Sequence, residues 1–87
     1  MSINQFVVFN INLIGDGSST NAKVGMRGYI KNNGVFPIIP NAIVSVSGSV
    51  GGISVASATL DNDTVTVIFT SAPFNGATGS LTIILSF

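Results

Sequence analysis

Cysteine, histidine, tryptophan and glutamate are all missing from this chain of 87 residues. Without cysteine, no disulfide staples the fold and no thiolate holds a metal. Without histidine and glutamate, the usual general acids and bases are gone. Three aspartates are left (Asp16, Asp61 and Asp63), each in a stretch of turn-forming residues. The many serines fall mostly on alternating, strand-like segments with no histidine to activate them. The chain therefore reads as a non-enzyme with no cofactor.

Charge is scarce as well. Charged residues make up 7% of the chain and the net charge is zero, whereas about a quarter of an ordinary soluble domain is charged. Solubility rests instead on Ser, Thr and Asn, which occupy 27 positions. Copies of such a protein feel little long-range repulsion and tend to associate. A single domain over residues 1–87 is expected, and a chain this short buries only about 60–65% of its unfolded surface. Stability then comes from packing and, we expect, from contacts with other copies or neighbouring subunits.

Long hydrophobic runs are also lacking. Nothing approaches the roughly 18–20 apolar residues of a membrane-spanning helix. The opening segment has no basic region, and its apolar stretch Phe6–Phe9 leads straight into Asn10, unlike a secretory leader. The expectation is a protein made in the cytoplasm, with no membrane partner, whose surface is nonetheless that of an assembled or external protein.

What the sequence does contain is apolar alternation with period two, punctuated by ten glycines and three prolines. In a first strand Ile3, Gln5, Val7, Phe9, Ile11 and Leu13 share one face. Asn4, Asn10 and Asn12 share the other, with Phe6 and Val8 between them. A second strand is read over about 22–31, with Val24, Met26, Gly28 and Ile30 inward and Lys23, Arg27, Tyr29 and Lys31 outward. Asn32-Asn33-Gly34 turns the chain, and Pro37 confines a short Val35–Ile39 segment to an edge. Ala42, Val44, Val46 and Val50 alternate with serines, and Gly51-Gly52 turns the chain again. Ile53–Leu60 and Thr64–Thr70 form a hairpin around Asp61-Asn62-Asp63, with Val65, Val67 and Phe69 buried. A loop over 71–79 leads to a closing strand lined by Leu81, Ile83, Leu85 and Phe87. Six to seven short strands at this spacing predict an all-β fold, an antiparallel β-sandwich or small barrel.

Several segments carry a functional and a plainer structural reading. Asp61-Asn62-Asp63 has the alternating oxygen donors of a calcium loop, but two or three ligands fall short of six to eight. A hairpin turn bonding its own backbone explains the same residues. All three basic side chains, Lys23, Arg27 and Lys31, lie in one segment beside Tyr29, either as a solvated face or as a contact for an acidic protein surface. Three cations are too few for ordinary nucleic-acid binding. Phe36 and Phe74 each adjoin a proline in a loop, as core caps or as partner anchors. Lys23, Arg27, Tyr29, Lys31, Phe36 and Phe74 are thus the candidate partner-binding residues.

The stretch Val44–Phe87, with its glycine-rich turns and its ATGSLTIILSF ending, resembles the small β-sandwich modules of bacteriophage virion proteins. The resemblance implies a structural virion protein, either a capsid decoration (cement) protein or a tail or fibre component. Such a protein docks on neighbouring capsid or tail subunits, commonly as a multimer. The alternative is a carbohydrate- or surface-binding β module, for which Tyr29 with Asn32 and Asn33 is the visible candidate.

Overall fold

The computed structural model describes residues 6–32 and 40–87. Ile3, Gln5, the Asn33-Gly34 turn, the proposed Val35–Ile39 edge segment and Phe36 lie outside the described residues. The remainder forms β1 (Phe6–Ile14), β2 (Asn21–Gly25), α1 (Arg27–Asn32), β3 (Ala42–Val50), β4 (Ile53–Asp61), β5 (Thr64–Phe69) and β6 (Thr78–Ser86). The all-β, antiparallel expectation holds. All six strands belong to one curled, half-barrel sheet in the order β1-β6-β3-β4-β5-β2.

The curl follows from the pairing. β3 and β4 meet only beside their turn, at Ser49 opposite Ser54 and Val50 opposite Ile53. Beyond that point β3 pairs with β6, and β4 pairs with β5. Two three-stranded wings, β1-β6-β3 and β4-β5-β2, therefore diverge from a common hairpin. That hairpin turns on Gly51 and Gly52, with φ of 59° and 81°. Two successive left-handed residues suit a tight turn between twisted strands. Val50, Phe69, Leu81, Ile83, Leu85, Val65, Val67, Phe9 and Ile11 line the inner faces of both wings as one buried cluster. The alternation read in β1, β5 and β6 places those side chains inward, as expected.

Two segments depart from the sequence reading. The first is the strand read over 22–31. β2 stops at Gly25, and Arg27–Asn32 winds as α1. Met26 and Ile30 are four apart, a spacing that fits the inward side of a strand and equally one side of a helix. As a helix the segment buries both side chains completely. The Met26 amide donates to the Asp63 carbonyl at 2.7 Å, and the Ile30 amide donates to the Met26 carbonyl at 2.8 Å. Burying two such side chains is worth about 1.5–3 kcal/mol each, more than the roughly 1 kcal/mol that Gly28 costs inside a helix. Tertiary packing outweighs local propensity here.

Gly28 separates the two readings experimentally. A Cβ built on it meets nothing within 4 Å, and its φ is not in the left-handed region. Gly28→Ala is thus expected to stabilise the protein by about 0.4–1 kcal/mol. A strand with Gly28 inward would instead lose stability from a methyl forced into the core, and urea unfolding distinguishes the two signs.

The second departure is in β3. Its register against β6 slips between Ile43 and Ser45, so Val44 sits in a bulge. A bulge adds one residue and reverses the parity of everything before it. Val46 and Val50 keep their inward side, but Ile43 takes the inward position next along the strand. Ala42 and Val44 are exposed, Val44 at 48%.

Candidate functional site

The residues read as a basic stripe do not form one strand face. Lys23 lies on β2 opposite Thr66. Arg27 opens α1, Lys31 lies in its last turn, and Tyr29 lies between them, partly exposed. Arg27 is also engaged. Its Nε donates to Asp63 Oδ2 at 3.1 Å, the carboxylate being mostly covered while the guanidinium side stays in solvent. This pair ties α1 to the β4–β5 turn and cancels one of three cations locally. An exposed pair of this kind contributes about 0–1 kcal/mol.

Asp61-Asn62-Asp63 forms the β4–β5 turn. Asn62 supplies its left-handed residue at φ 54°, and Asp63 is occupied by Arg27 and by the Thr64 hydroxyl at 3.4 Å. Asp16 is similarly committed to its own loop. Its Oδ1 accepts the amides of Ser19 at 2.8 Å and Ser18 at 3.0 Å. These backbone hydrogen bonds, that from Ser19 foremost, hold its carboxyl below the ordinary carboxylate value. Among the described residues no three acidic side chains gather as a metal cluster.

Phe74 is exposed, in the loop between β5 and β6. Its ring lies against the β3–β4 turn, where a Cβ on Gly51 would come within 2.9 Å of Phe74 Cε1. Pro73 beside it is buried. A cavity of about 60 Å³ opens near this end, lined by Leu13, Ala22, Val50, Phe69 and Pro73 among others. Tyr29 and Asn32 do not line it. Five of the six sequence-derived candidates are thus spread over β2, α1 and the β5–β6 loop, and Phe36 lies outside the described residues.

The register brings together a different set. On the outer face of the β1-β6-β3 wing, Phe6 lies opposite Ser86, and Ser86 lies opposite Ala42. In the next row outward-facing Val8 lies opposite Ile84, and Ile84 lies opposite Ser45, beside bulged Val44. Phe6 is 63% exposed and Val8 54%. One end of this face is therefore apolar: Phe6, Val8, Ala42, Val44 and half-buried Ile84. The rest carries Asn10, Asn12, Ser47, Ser49, Ser80 and Thr82, with exposed Ile14 opposite Thr78 at the far end and the Thr82 hydroxyl donating to Asn10 Oδ1 at 3.2 Å. No charged residue lies on the outward side of these three strands. An apolar cluster rimmed by small polar residues is the usual form of a protein-binding surface.

Sequence reasoning set Phe6 and Val8 on the side of the asparagines but drew no site from them. Their partners Ala42, Val44 and Ile84 come from strands remote in sequence. The parity of Phe6 and Val8 with Asn10 and Asn12 was the one local signal. No protein-family model, curated protein or solved structure matches this chain.

Proposed function

We propose that the chain is a structural protein of a virus particle, a capsid decoration or tail component that binds neighbouring subunits and stabilises the assembly. The observation that carries this reading is the apolar end of the outer β1-β6-β3 face, exposed on a wing with no outward charge. Weakly charged, hydroxyl-rich surfaces around such a patch suit permanent packing better than free diffusion. Among the described residues β1 and β2 are unpaired sheet edges, where neighbouring chains can join and extend the curled sheet toward a barrel. The basic residues contribute less to this reading than the patch does, because Arg27 is already paired with Asp63.

The reading is tested by purifying particles from the cells that make this protein and quantifying the chain in the particle band. The native chain is expected there in fixed ratio to the major subunit. Val44→Asp sets a charge at the patch but away from both sheet edges, and should lower that occupancy roughly tenfold while leaving the folded circular dichroism spectrum unchanged. A native chain found only in the soluble fraction refutes the proposal.

A further inference from the structure

Among the described residues, strand β1 is a free sheet edge of unusual kind. It runs nine residues, Phe6–Ile14, and pairs with β6 in unbroken register from Phe6–Ser86 to Ile14–Thr78. It contains no charge, proline, glycine or bulge. Proteins normally blunt exposed edges with such devices, because unpaired amides and carbonyls recruit other strands. The opposite edge, β2, is blunted: it has five residues, carries Lys23 and ends at Gly25 in α1.

The direction of the free groups follows from the ladder. The Gly15 amide donates to the Ala77 carbonyl at 2.7 Å, continuing the β1–β6 register. Hydrogen-bonding direction alternates along an antiparallel strand, so the odd-numbered residues of β1 face β6. Phe6, Val8, Asn10, Asn12 and Ile14 then aim their backbone groups at the open edge.

We infer that β1 pairs antiparallel with β1 of a second copy of this chain, about a two-fold axis at Asn10. The side-chain pattern is self-complementary in that register. Phe6 falls opposite the second copy's Ile14, and the 63% and 74% exposed side chains cover each other. On the inner face Val7 falls opposite Leu13 and Phe9 opposite Ile11. These are the half-covered and buried residues at the border of the core. Asn10 meets its own copy at the centre. A shift of two residues one way sets Phe6 against Asp16, and the other way sets Phe6 against Asn12 and Ile14 against Asn4, so the apolar ends no longer meet. In the centred register all nine residues pair, giving about ten intermolecular backbone hydrogen bonds and a continuous twelve-stranded sheet. Such a contact is isologous and closes at two copies. With zero net charge and none on β1, no electrostatic repulsion opposes it.

This dimer names one partner within the assembly reading; it takes Phe6 into the seam and leaves Ala42, Val44 and Ile84 of the patch on each copy's outer face free to dock. Its test is the solution mass by light scattering across a wide concentration range, with three single variants. The native chain is expected at twice its 8.9 kDa mass. Asn10→Lys sets two like charges opposite each other and should weaken the dimer roughly tenfold or more while the circular dichroism spectrum stays native. Because the chain has no cysteine, Asn10→Cys should cross-link to itself on oxidation. Ile14→Cys should not, since its two copies would lie roughly 27 Å apart at 3.4 Å per residue.

A native monomer at all concentrations overturns the inference. So does a dimer unaffected by Asn10→Lys, or one in which Ile14→Cys cross-links and Asn10→Cys does not. A monomer recovered in the particle band would sink the dimer and keep the docking proposal; a dimer absent from particles would do the reverse.

Discussion

Phe69→Ala is expected to remove about 3–5 kcal/mol of stability, as truncations of core phenylalanines do. Phe69 is the last residue of β5 and is nearly fully buried. It pairs with Val55 across the ladder, and its amide donates to the Thr20 carbonyl at 2.8 Å. The ring lines the small cavity with Leu13, Ala22, Val50 and Pro73, at the end where both wings meet. Removing it enlarges a gap that the surrounding backbone is too constrained to close. Net stability for a chain this size is about 4–13 kcal/mol, so the variant stands close to unfolding. Urea denaturation measures the loss. A value below about 1 kcal/mol would mean that the ring does not anchor the junction of the wings.

Ile30→Ala carries the second large effect, about 2–5 kcal/mol. Ile30 and Met26 are the two completely buried side chains of the Met26–Asn32 segment, which the Met26 amide also ties to the Asp63 carbonyl at the β4–β5 turn. A six-residue helix is far too short to persist alone, so its existence depends on that burial. The loss should also be local. Amide exchange is expected to accelerate in α1 and β2, while the β1–β6 ladder keeps its protection. Uniform acceleration in both wings would show that α1 is integral to the whole core, and a cost below about 1 kcal/mol that it plugs nothing.

The fold was most legible where burial is one-sided and unbroken. In β5, Val65, Val67 and Phe69 alternate with Thr64 and Thr66. In β6, Leu81, Ile83 and Leu85 do the same, and the sheet uses both as read. Reading failed where one spacing served two periods, as at Met26 and Ile30, and where a single bulged residue reversed a strand's parity at Val44. Neither is local information: the first was decided by the complete burial of Met26 and Ile30 in the shared core, the second by how β3 meets β6. The site shows the same division. That Arg27 is a surface cation was plain, but its partner Asp63 lies 36 residues away and had been assigned to a turn. The outward parity of Phe6 and Val8 was visible in sequence. The patch they form was not, because it takes the order β1-β6-β3 to bring Ile84 and Val44 beside them.

That strand order also fixes a schedule. The β3–β4 and β4–β5 hairpins join neighbours in the chain and can close as soon as they are made. β1, by contrast, is synthesised early, and its only ladder partner among the described residues is β6, beginning at Thr78. At a translation rate of about 5–20 residues per second, the stretch between them takes roughly 3–13 s to appear. For that interval the uncharged β1 segment has no β6 of its own to pair with. On a polysome, where identical nascent chains are held close together, the β6 of a chain further along is available before its own. The arrangement thus favours exchange of β1 between sister chains, and makes the pace of synthesis through residues 15–77 a determinant of how much correctly paired protein emerges.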